Sequence, residues 1–337
     1  MKKALLVLVV AALVAVPVFA QFKVGLVTDV GGIDDRSFNQ GTWEGIVRFA
    51  KDYFKVNAPT ANFKYLQSSA EADYVPNLST FSDEGMSLIV APGFLFEQAM
   101  TQVAKNYPTR KYLIIDTVVP LPNVVSATFA EHEGSFLVGV AAGLKAKEDK
   151  QSVVGFIGGM QIPLIEKFQA GYEQGVKAVF PDCKVLIDYT GVFDDPSKGQ
   201  ALAQKQYNAG AYITFSAAGS CGNGVIKEAK ERQMKGDIRW VIGVDKDQYS
   251  DGIYSGNKSA VLTSMMKRVD VAAYDVAKMT MDGKFPGGQT LVFTLKNAGV
   301  GIPANNPNLS AAIVAKVKEY ADLIASGKLK VSEVPAK

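Results

Sequence analysis

The sequence predicts an α/β protein that folds as two doubly wound parallel-sheet lobes. Beyond residue 20, short β-rich apolar runs alternate with helical patterns, which is the signature of parallel sheets built from βαβ units. The alternation restarts in mid-chain, which indicates a second sheet of similar size. No Pro/Gly/Ser-rich linker separates the two halves, and this favours lobes that share a hinge over independent domains.

Residues 1–20 are predicted to be a secretory signal peptide and are excluded from the fold. Lys2 and Lys3 precede an unbroken apolar run, and residues 18–20 fit the usual cleavage pattern. The run is too short to span a bilayer comfortably. Because the first cysteine is Cys183, the chain lacks a lipobox cysteine. We therefore expect an exported, cleaved and soluble protein that does not span the membrane.

Composition and charge describe an ordinary globular protein. Hydrophobic residues make up 48% of the chain and charged residues 20%, and the length favours two cores over one. The formal net charge is only +3, with lysines and acids interspersed. Since no basic stripe exists to hold a phosphate backbone, nucleic acid is not an expected partner.

The predicted elements fall into two series and a tail. Strands of the first series are predicted at 23–30, 63–68, 87–92, 111–117 and 124–129, with helices at 37–54, 74–83 and 96–107. Strands of the second series are predicted at 152–157, 184–189, 211–216 and 239–244, with helices at 163–180, 197–208 and 224–233. The tail adds strands at 260–266 and 290–295 and helices at 268–282 and 310–326.

This order predicts a hinge in which the chain crosses between the lobes three times. The expected N-terminal lobe comprises 21–130 plus 266–289, and the expected C-terminal lobe comprises 131–265 plus 290–337. In open parallel sheets, ligands bind beyond the carboxyl ends of the strands. The expected ligand site therefore lies in the cleft between the lobes.

Residues suited to binding follow most of the predicted strands, whereas catalytic and metal motifs are missing. No G-x-S-x-G elbow or GxxxxGK[ST] loop occurs, and the only histidine, His132, is expected to be a solvated capping residue. The glycines of 219–224 are in the wrong order for a dinucleotide fingerprint, so we interpret this segment as a binding loop. The acids at 245–251 lack EF-hand spacing. No catalytic residue, metal or cofactor is expected.

Several motifs, in order along the mature chain, carry a resemblance to a known family. The most distinctive is TDVGGIDDRSFNQ at 28–40, and others lie at 112–116, 155–159, 168–172, 217–219, 242–248 and 263–267. Together they closely resemble the basic-membrane-protein family, the PnrA-like purine nucleoside receptors that feed ABC importers. The resemblance implies a type I periplasmic-binding-protein fold, which agrees with the two lobes predicted above.

The resemblance also implies a function and its partners. We expect an extracytoplasmic solute-binding protein, not an enzyme, that delivers a purine nucleoside to an ABC permease and ATPase complex, and that is a monomer. Many family members are lipoproteins, whereas this chain has no lipobox cysteine. A periplasmic location is therefore expected. The alternatives are a nucleoside-processing enzyme such as a hydrolase or phosphorylase, a receptor for another small polar solute, and a sensor that docks on a membrane receptor domain.

Two aromatic residues are expected to hold the base of the ligand. Phe38 could simply begin the buried face of a helix, but the resemblance favours a ring that stacks on the base, next to Asn39. Phe193 lies in a loop without periodicity and would stack from the other lobe, although packing under the hinge is an equal alternative before the resemblance is counted. Phe94 is expected to pack in the core.

Three acids that end buried strands, Asp29, Asp116 and Asp245, are candidate hydrogen-bond acceptors. Any one of them alone would be expected to cap the next helix. Together around one cleft, with Lys267 and the loop at Gly219, they are predicted to bind ribose and base edges, and Asp245 and Lys267 are assigned to the ribose. Residues 34 and 35 are expected to form the turn and cap before Ser37.

Overall fold

The computed structural model describes residues 22–336, so the predicted signal peptide at 1–20 lies outside the described residues. Within this range the chain forms two six-stranded sheets and a small two-stranded hairpin. No helix among residues 22–336 is long and apolar enough to cross a membrane. Two α/β lobes with parallel cores are thus confirmed.

The first lobe begins with a βα series whose strands all pair in parallel. Its elements are β1 (Val24–Val27), α1 (Phe38–Phe54), β2 (Phe63–Leu66), α2 (Tyr74–Asp83), β3 (Leu88–Pro92), α3 (Glu97–Asn106), β4 (Tyr112–Ile115) and β5 (Val124–Phe129). The strands β1, β3 and β4 are completely buried, because helices cover both faces of the sheet.

The second lobe repeats this arrangement. Its elements are α4 (Glu131–Glu148), β6 (Val153–Gly158), α5 (Pro163–Val179), β7 (Lys184–Tyr189), α6 (Pro196–Asn208), β8 (Ile213–Ala217), α7 (Cys221–Met234), β9 (Trp240–Asp245), β10 (Ile253–Ser255), β11 (Lys258–Ser259) and β12 (Val261–Lys267). The tail adds α8 (Val269–Met281), β13 (Thr290–Phe293), β14 (Val300–Gly301) and α9 (Ala311–Ala325). The strand orders are β13-β5-β4-β3-β1-β2 and β14-β12-β9-β8-β6-β7, with β14 antiparallel to β12.

The predicted elements are observed with small shifts at their ends, but helix α4 was not among them. Most of its side chains are buried, since α4 is packed against α5, α9 and β12. A helix that is buried all round has no polar face, and its sequence therefore lacks the amphipathic period. Glycines 139, 171 and 175 bring α4 and α5 together, because a side chain at any of them would collide with the backbone of the other helix.

The hinge consists of three crossings, as predicted. The chain leaves the first sheet after β5, returns after β12 and leaves again after β13. Backbone and side-chain hydrogen bonds join these crossings to one another: Ala130 N to Phe293 O at 2.8 Å, Arg268 N to Gly299 O at 2.9 Å, and Leu295 N to Glu133 Oε2 at 2.8 Å. The rings of Phe129 and Phe293 also stack, with centroids 4.9 Å apart.

The expected lobe boundaries need two corrections. Strand β13 pairs in parallel with β5 of the first sheet, although 290–337 was predicted to belong to the second lobe. Met266 and Lys267 end β12 in the second sheet, although they were predicted to belong to the first lobe. A short strand at a crossing can extend either sheet with the same apolar pattern, so only the tertiary pairing decides its lobe.

The two cysteines are free and buried. Cys183 precedes β7 and Cys221 begins α7 after β8, so they lie at opposite ends of the second sheet. Parallel strands of about six residues separate such ends by roughly 20 Å at about 3.3 Å per residue, whereas disulfide Cα atoms lie within about 7 Å.

We therefore expect both thiols of the folded protein to stay reduced. Thiol titration of the denatured, unreduced protein should give two free sulfhydryls per chain. The absence of any free sulfhydryl would contradict this arrangement.

Candidate ligand-binding site

A cavity lies between the lobes at the carboxyl ends of both sheets. All eight predicted site residues line it: Asp29, Phe38, Asn39, Asp116, Phe193, Gly219, Asp245 and Lys267. Apolar side chains of α5 and small residues after β3 and β8 complete the lining: Leu164, Ile165, Phe168, Gly93, Ala217, Ala218 and Ser220. The structure thus brings residues from both lobes to one place.

Lys267, the last residue of β12, is the only buried lysine of the described chain, with 2% of its surface exposed. Its Nζ donates a hydrogen bond to Asp116 Oδ2 at 2.6 Å and lies 3.2 Å from Glu131 Oε1. Aromatic rings of Phe38 and Phe129 have their centroids 5.1 Å from the ammonium. A single cation is thus enclosed by carboxylates and ring faces, which compensates part of its desolvation.

Asp116 and Asp245 occupy equivalent places in the two lobes. Strand β4, which Asp116 follows, and strand β9, which Asp245 ends, are both third in their sheets. Both residues have a left-handed backbone, with φ of 72° and 67°. This conformation is uncommon for residues other than glycine and is best tolerated by Asp and Asn. At both positions the chain turns at the end of the strand, and the acid lines the cavity.

Burial changes the ionisation of this cluster. It raises the pKa of Asp245 to about 7, against the opposing effects of Lys267 and Ser37. It raises the pKa of Glu131 to about 7 as well, although the positive charge of Lys267 lowers it. For Lys267 itself, burial alone would lower the pKa, but the surrounding carboxylates raise it above its ordinary value. The site therefore carries a fixed positive charge among acids that titrate near neutrality.

A second group of acids lies at the start of α1. Asp35 caps this helix as predicted, since its carboxylate accepts from the backbone of Ser37, Asn39 and Gln40. The amide nitrogen of Asn39 donates to Asp29 Oδ1 at 2.8 Å and to Asp35 Oδ2 at 3.0 Å. Burial raises the pKa of Asp29 to about 6. Asn39 thus holds two carboxylates side by side at the cavity wall.

The aromatic residues come from both sides of the cavity. The ring of Phe193 occupies space left free by Gly159, where any side chain would overlap it. Phe94 contacts Phe193 edge to face across the cleft, with centroids 6.3 Å apart. Phe94 was expected to pack in the core, but it is half-buried and lines the cavity, because Gly93 turns the chain with φ of 120°.

The lobes are closed on each other around this cavity. The segment 31–44 of the first lobe receives most of the contacts from the second lobe. These contacts join Ser37 Oγ to Asp245, Ser220 Oγ to Gly31 O, Asn223 Nδ2 to Asp35 O, Gln248 Nε2 to Arg36 O, Lys246 Nζ to Gln40 and Glu44, and Arg36 to Asp251. Side chains of the second lobe thus bind three backbone carbonyls before α1 and several side chains at the start of α1 and just before it.

A family model described as "ABC transporter substrate-binding protein PnrA-like" matches residues 22–336. The chain belongs to this family. Its members are the substrate-binding components of ABC transporters.

Curated relatives and solved structures agree with the family. The chain is 42% identical to the "CD4+ T-cell-stimulating antigen" of Listeria innocua, over 93% of this chain and 89% of the relative. It is 39% identical to the "ABC transporter nucleoside-binding protein BmpA" of Lactococcus lactis, over 92% and 88%. A solved ABC transporter solute-binding protein from Aeropyrum pernix K1 is 27% identical with a TM-score of 0.79, covering 92% of both chains.

Some residues of the site were missed or misjudged from the sequence. Glu131 was not among the predicted site residues, yet it is 1% exposed and contacts Lys267. Lys267 and Asp245 were assigned together to the ribose, but the hydrogen bond of Lys267 goes to Asp116. His132 was expected to be solvated, whereas it is half-buried and its Nδ1 has no hydrogen-bond partner among residues 22–336. The position of Glu131 was a signal that could have identified it, because it lies two residues after the end of β5 at Phe129.

Proposed function

We propose that this protein is the extracytoplasmic receptor of an ABC importer, that it binds a purine nucleoside between its lobes and passes it to the permease and ATPase complex, and that it has no enzymatic activity. The observation that carries the proposal is the Lys267–Asp116 pair buried between aromatic side chains of both lobes. The Lactococcus lactis relative, whose name describes nucleoside binding, supports this choice of ligand.

The chemistry of the cavity suits the two halves of a nucleoside. Aromatic faces such as Phe38 and Phe193 can stack on a base regardless of its edge pattern. Carboxylates accept hydrogen bonds from ribose hydroxyls, and an ammonium donates to their oxygens. Asp116 Oδ1 is buried without a hydrogen-bond partner in the described chain, so it is available for a donor of the ligand.

The proposal includes a periplasmic location and a monomeric state. The predicted cleaved signal peptide and the absence of a lipobox cysteine in the sequence favour a freely diffusing receptor between two membranes. Lobe closure around the solute is the expected mode of capture.

Native mass spectrometry of the freshly purified protein, followed by calorimetry with inosine, guanosine, adenosine, their free bases and pentoses, tests the ligand class. We expect nucleosides to bind and free bases and pentoses to bind poorly. Chromatography of the same mixtures should recover each nucleoside intact. Release of free base would favour the nucleoside-processing enzyme, and preferential binding of a pentose would favour another polar solute.

Replacement of Phe38 or Phe193 by Ala should weaken all purine nucleosides by a similar factor. Stacking reads the face of the base, and its loss costs on the order of 1–3 kcal/mol per ring. Calorimetry with the three nucleosides measures both affinity and selectivity. Phe285→Ala, which removes a half-buried ring outside the cavity, is the matched control and should leave affinity unchanged. Unchanged affinity of Phe38→Ala would refute base stacking on this ring.

A further inference from the structure

Glu131 is a buried acid that the proposed binding contacts do not use. It is the first residue of α4, is 1% exposed and does not line the cavity. Neither of its carboxylate oxygens has a hydrogen-bond partner among the described residues. Burial of a carboxylate without hydrogen-bond donors is costly, even beside a cation. It forms an ion pair with the Lys267 ammonium, whose Nζ lies 3.2 Å from Glu131 Oε1.

Glu131 lies in the hinge, close to the residue that it contacts, Lys267. Lys267 ends β12 directly before the second crossing, and Glu131 begins α4 directly after the first. Asp116 approaches the same ammonium from the first lobe, at 2.6 Å. The lysine is therefore held between a lobe that moves on opening and a helix that begins at the pivot. Of these two acids, only Asp116 faces the cavity.

We propose that Glu131 is a positioning residue of the ligand site, which holds the Lys267 ammonium from the hinge side so that the cation stays aimed at Asp116 and the cavity. An ammonium has three donors. Asp116 takes one, Glu131 attracts a second away from the cavity, and the third is left for a ligand oxygen. The inference rests on the proposed function for the identity of that ligand.

The charge balance of the cluster makes this role dependent on pH. The charged groups that face Glu131 are Lys267 from β12, Asp116 from β4 and Lys167 from α5. Asp245 adds a further carboxylate beside Lys267. One buried cation among three carboxylates cannot neutralise them all, and burial raises the pKa of Glu131 to about 7. Below that pH a neutral Glu131 attracts the ammonium less, so positioning improves as pH rises through neutrality.

Glu131→Gln keeps the shape of the side chain and removes its charge. We expect its dissociation constant for a purine nucleoside to exceed the wild-type value by about tenfold at pH 8, equivalent to about 1.4 kcal/mol. At pH 5.5 the two proteins should bind almost equally, because wild-type Glu131 is then neutral too. Glu228→Gln is the matched control, since Glu228 is also buried and paired, with Arg232 at 2.8 Å, but lies outside the cavity. Its ratio to wild type should stay constant with pH.

A second measurement needs no ligand. In protein labelled with ¹⁵N-lysine, the Lys267 ammonium signal, assigned by its loss in Lys267→Met, should shift with pH through about 7 in the wild type. In Glu131→Gln the part of this shift that Glu131 causes should be lost, while the part that Asp245 causes should remain. A Lys267 signal that titrates identically in both proteins, or an affinity ratio independent of pH, would overturn the role of Glu131. If no nucleoside binds the wild type, the proposed function fails, while the ammonium titration still decides the role of Glu131.

Discussion

Replacing Lys267 by Met should lower the free energy of unfolding by about 3–5 kcal/mol at pH 8, the usual cost of removing one partner of a buried ion pair. The change leaves Asp116, Glu131 and Asp245 buried without their cation. Carboxyls whose folded-state pKa lies above the unfolded value contribute stability at low pH and lose it as pH rises through the folded pKa. The loss should therefore be smaller near pH 5, where Glu131 and Asp245 can stay protonated. Urea denaturation at the two pH values measures it.

The matched control is Lys246→Met, which also removes a second-lobe lysine paired with a first-lobe acid. The Lys246–Glu44 pair is partly exposed, with side-chain exposures of 24% and 49%. Exposed pairs contribute about 0–1 kcal/mol, so this variant should remain close to wild type at both pH values. Equal losses for Lys267→Met at pH 5 and pH 8 would mean that Lys267 stabilises the protein through its aliphatic stem alone.

Asp245→Ala should weaken nucleoside binding by at least about tenfold, or about 1.4 kcal/mol. We assign this carboxylate to the ribose, and a charge-assisted hydrogen bond contributes about 1.5–3 kcal/mol. A 2′,3′-dideoxynucleoside lacks both hydroxyls, so the wild type should bind it weakly and Asp245→Ala should change its affinity little. Calorimetry with the two ligands measures the coupling between the residue and the hydroxyls.

Asp245 also accepts a hydrogen bond from Ser37 across the cleft, so lobe closure must be separated from ribose binding. Ser37→Ala removes this contact and keeps the carboxylate. It should weaken the nucleoside and its dideoxy analogue by the same factor, because closure does not distinguish them. If the wild type binds the dideoxy compound as tightly as the parent nucleoside, Asp245 and Lys267 act in the hinge or on a different solute.

The sequence predicted strand ends well, because apolar runs, turn residues and the parallel-sheet rule concern neighbours along the chain. It placed Asp29, Asp116 and Asp245 around one cleft, and the structure brings them to one cavity. It did not predict which acid pairs with Lys267, since that depends on the register of β12 against β9 and on the hinge.

Glu131 shows a second limit of sequence reasoning. It lies in a charged triplet, Glu131-His132-Glu133, that is typical of a solvated helix start. Its burial results from α4 packing in backbone contact with α5, which needs glycines some forty residues away along the chain. Such a contact is tertiary, so no local pattern around the acid reveals it.

The contacts that close the lobes on segment 31–44 are made by the protein alone, so they stabilise the closed state even without ligand. Each of them increases the fraction of unliganded molecules that are already shut, and a shut molecule cannot admit solute. Stronger contacts at this segment therefore slow both the entry and the release of solute, and weaker contacts speed both. Among the residues of segment 31–44 that make such contacts, Arg36, Gln40 and Glu44 do not line the cavity. Changes at these positions could alter residence time in evolution while the cavity wall stays the same.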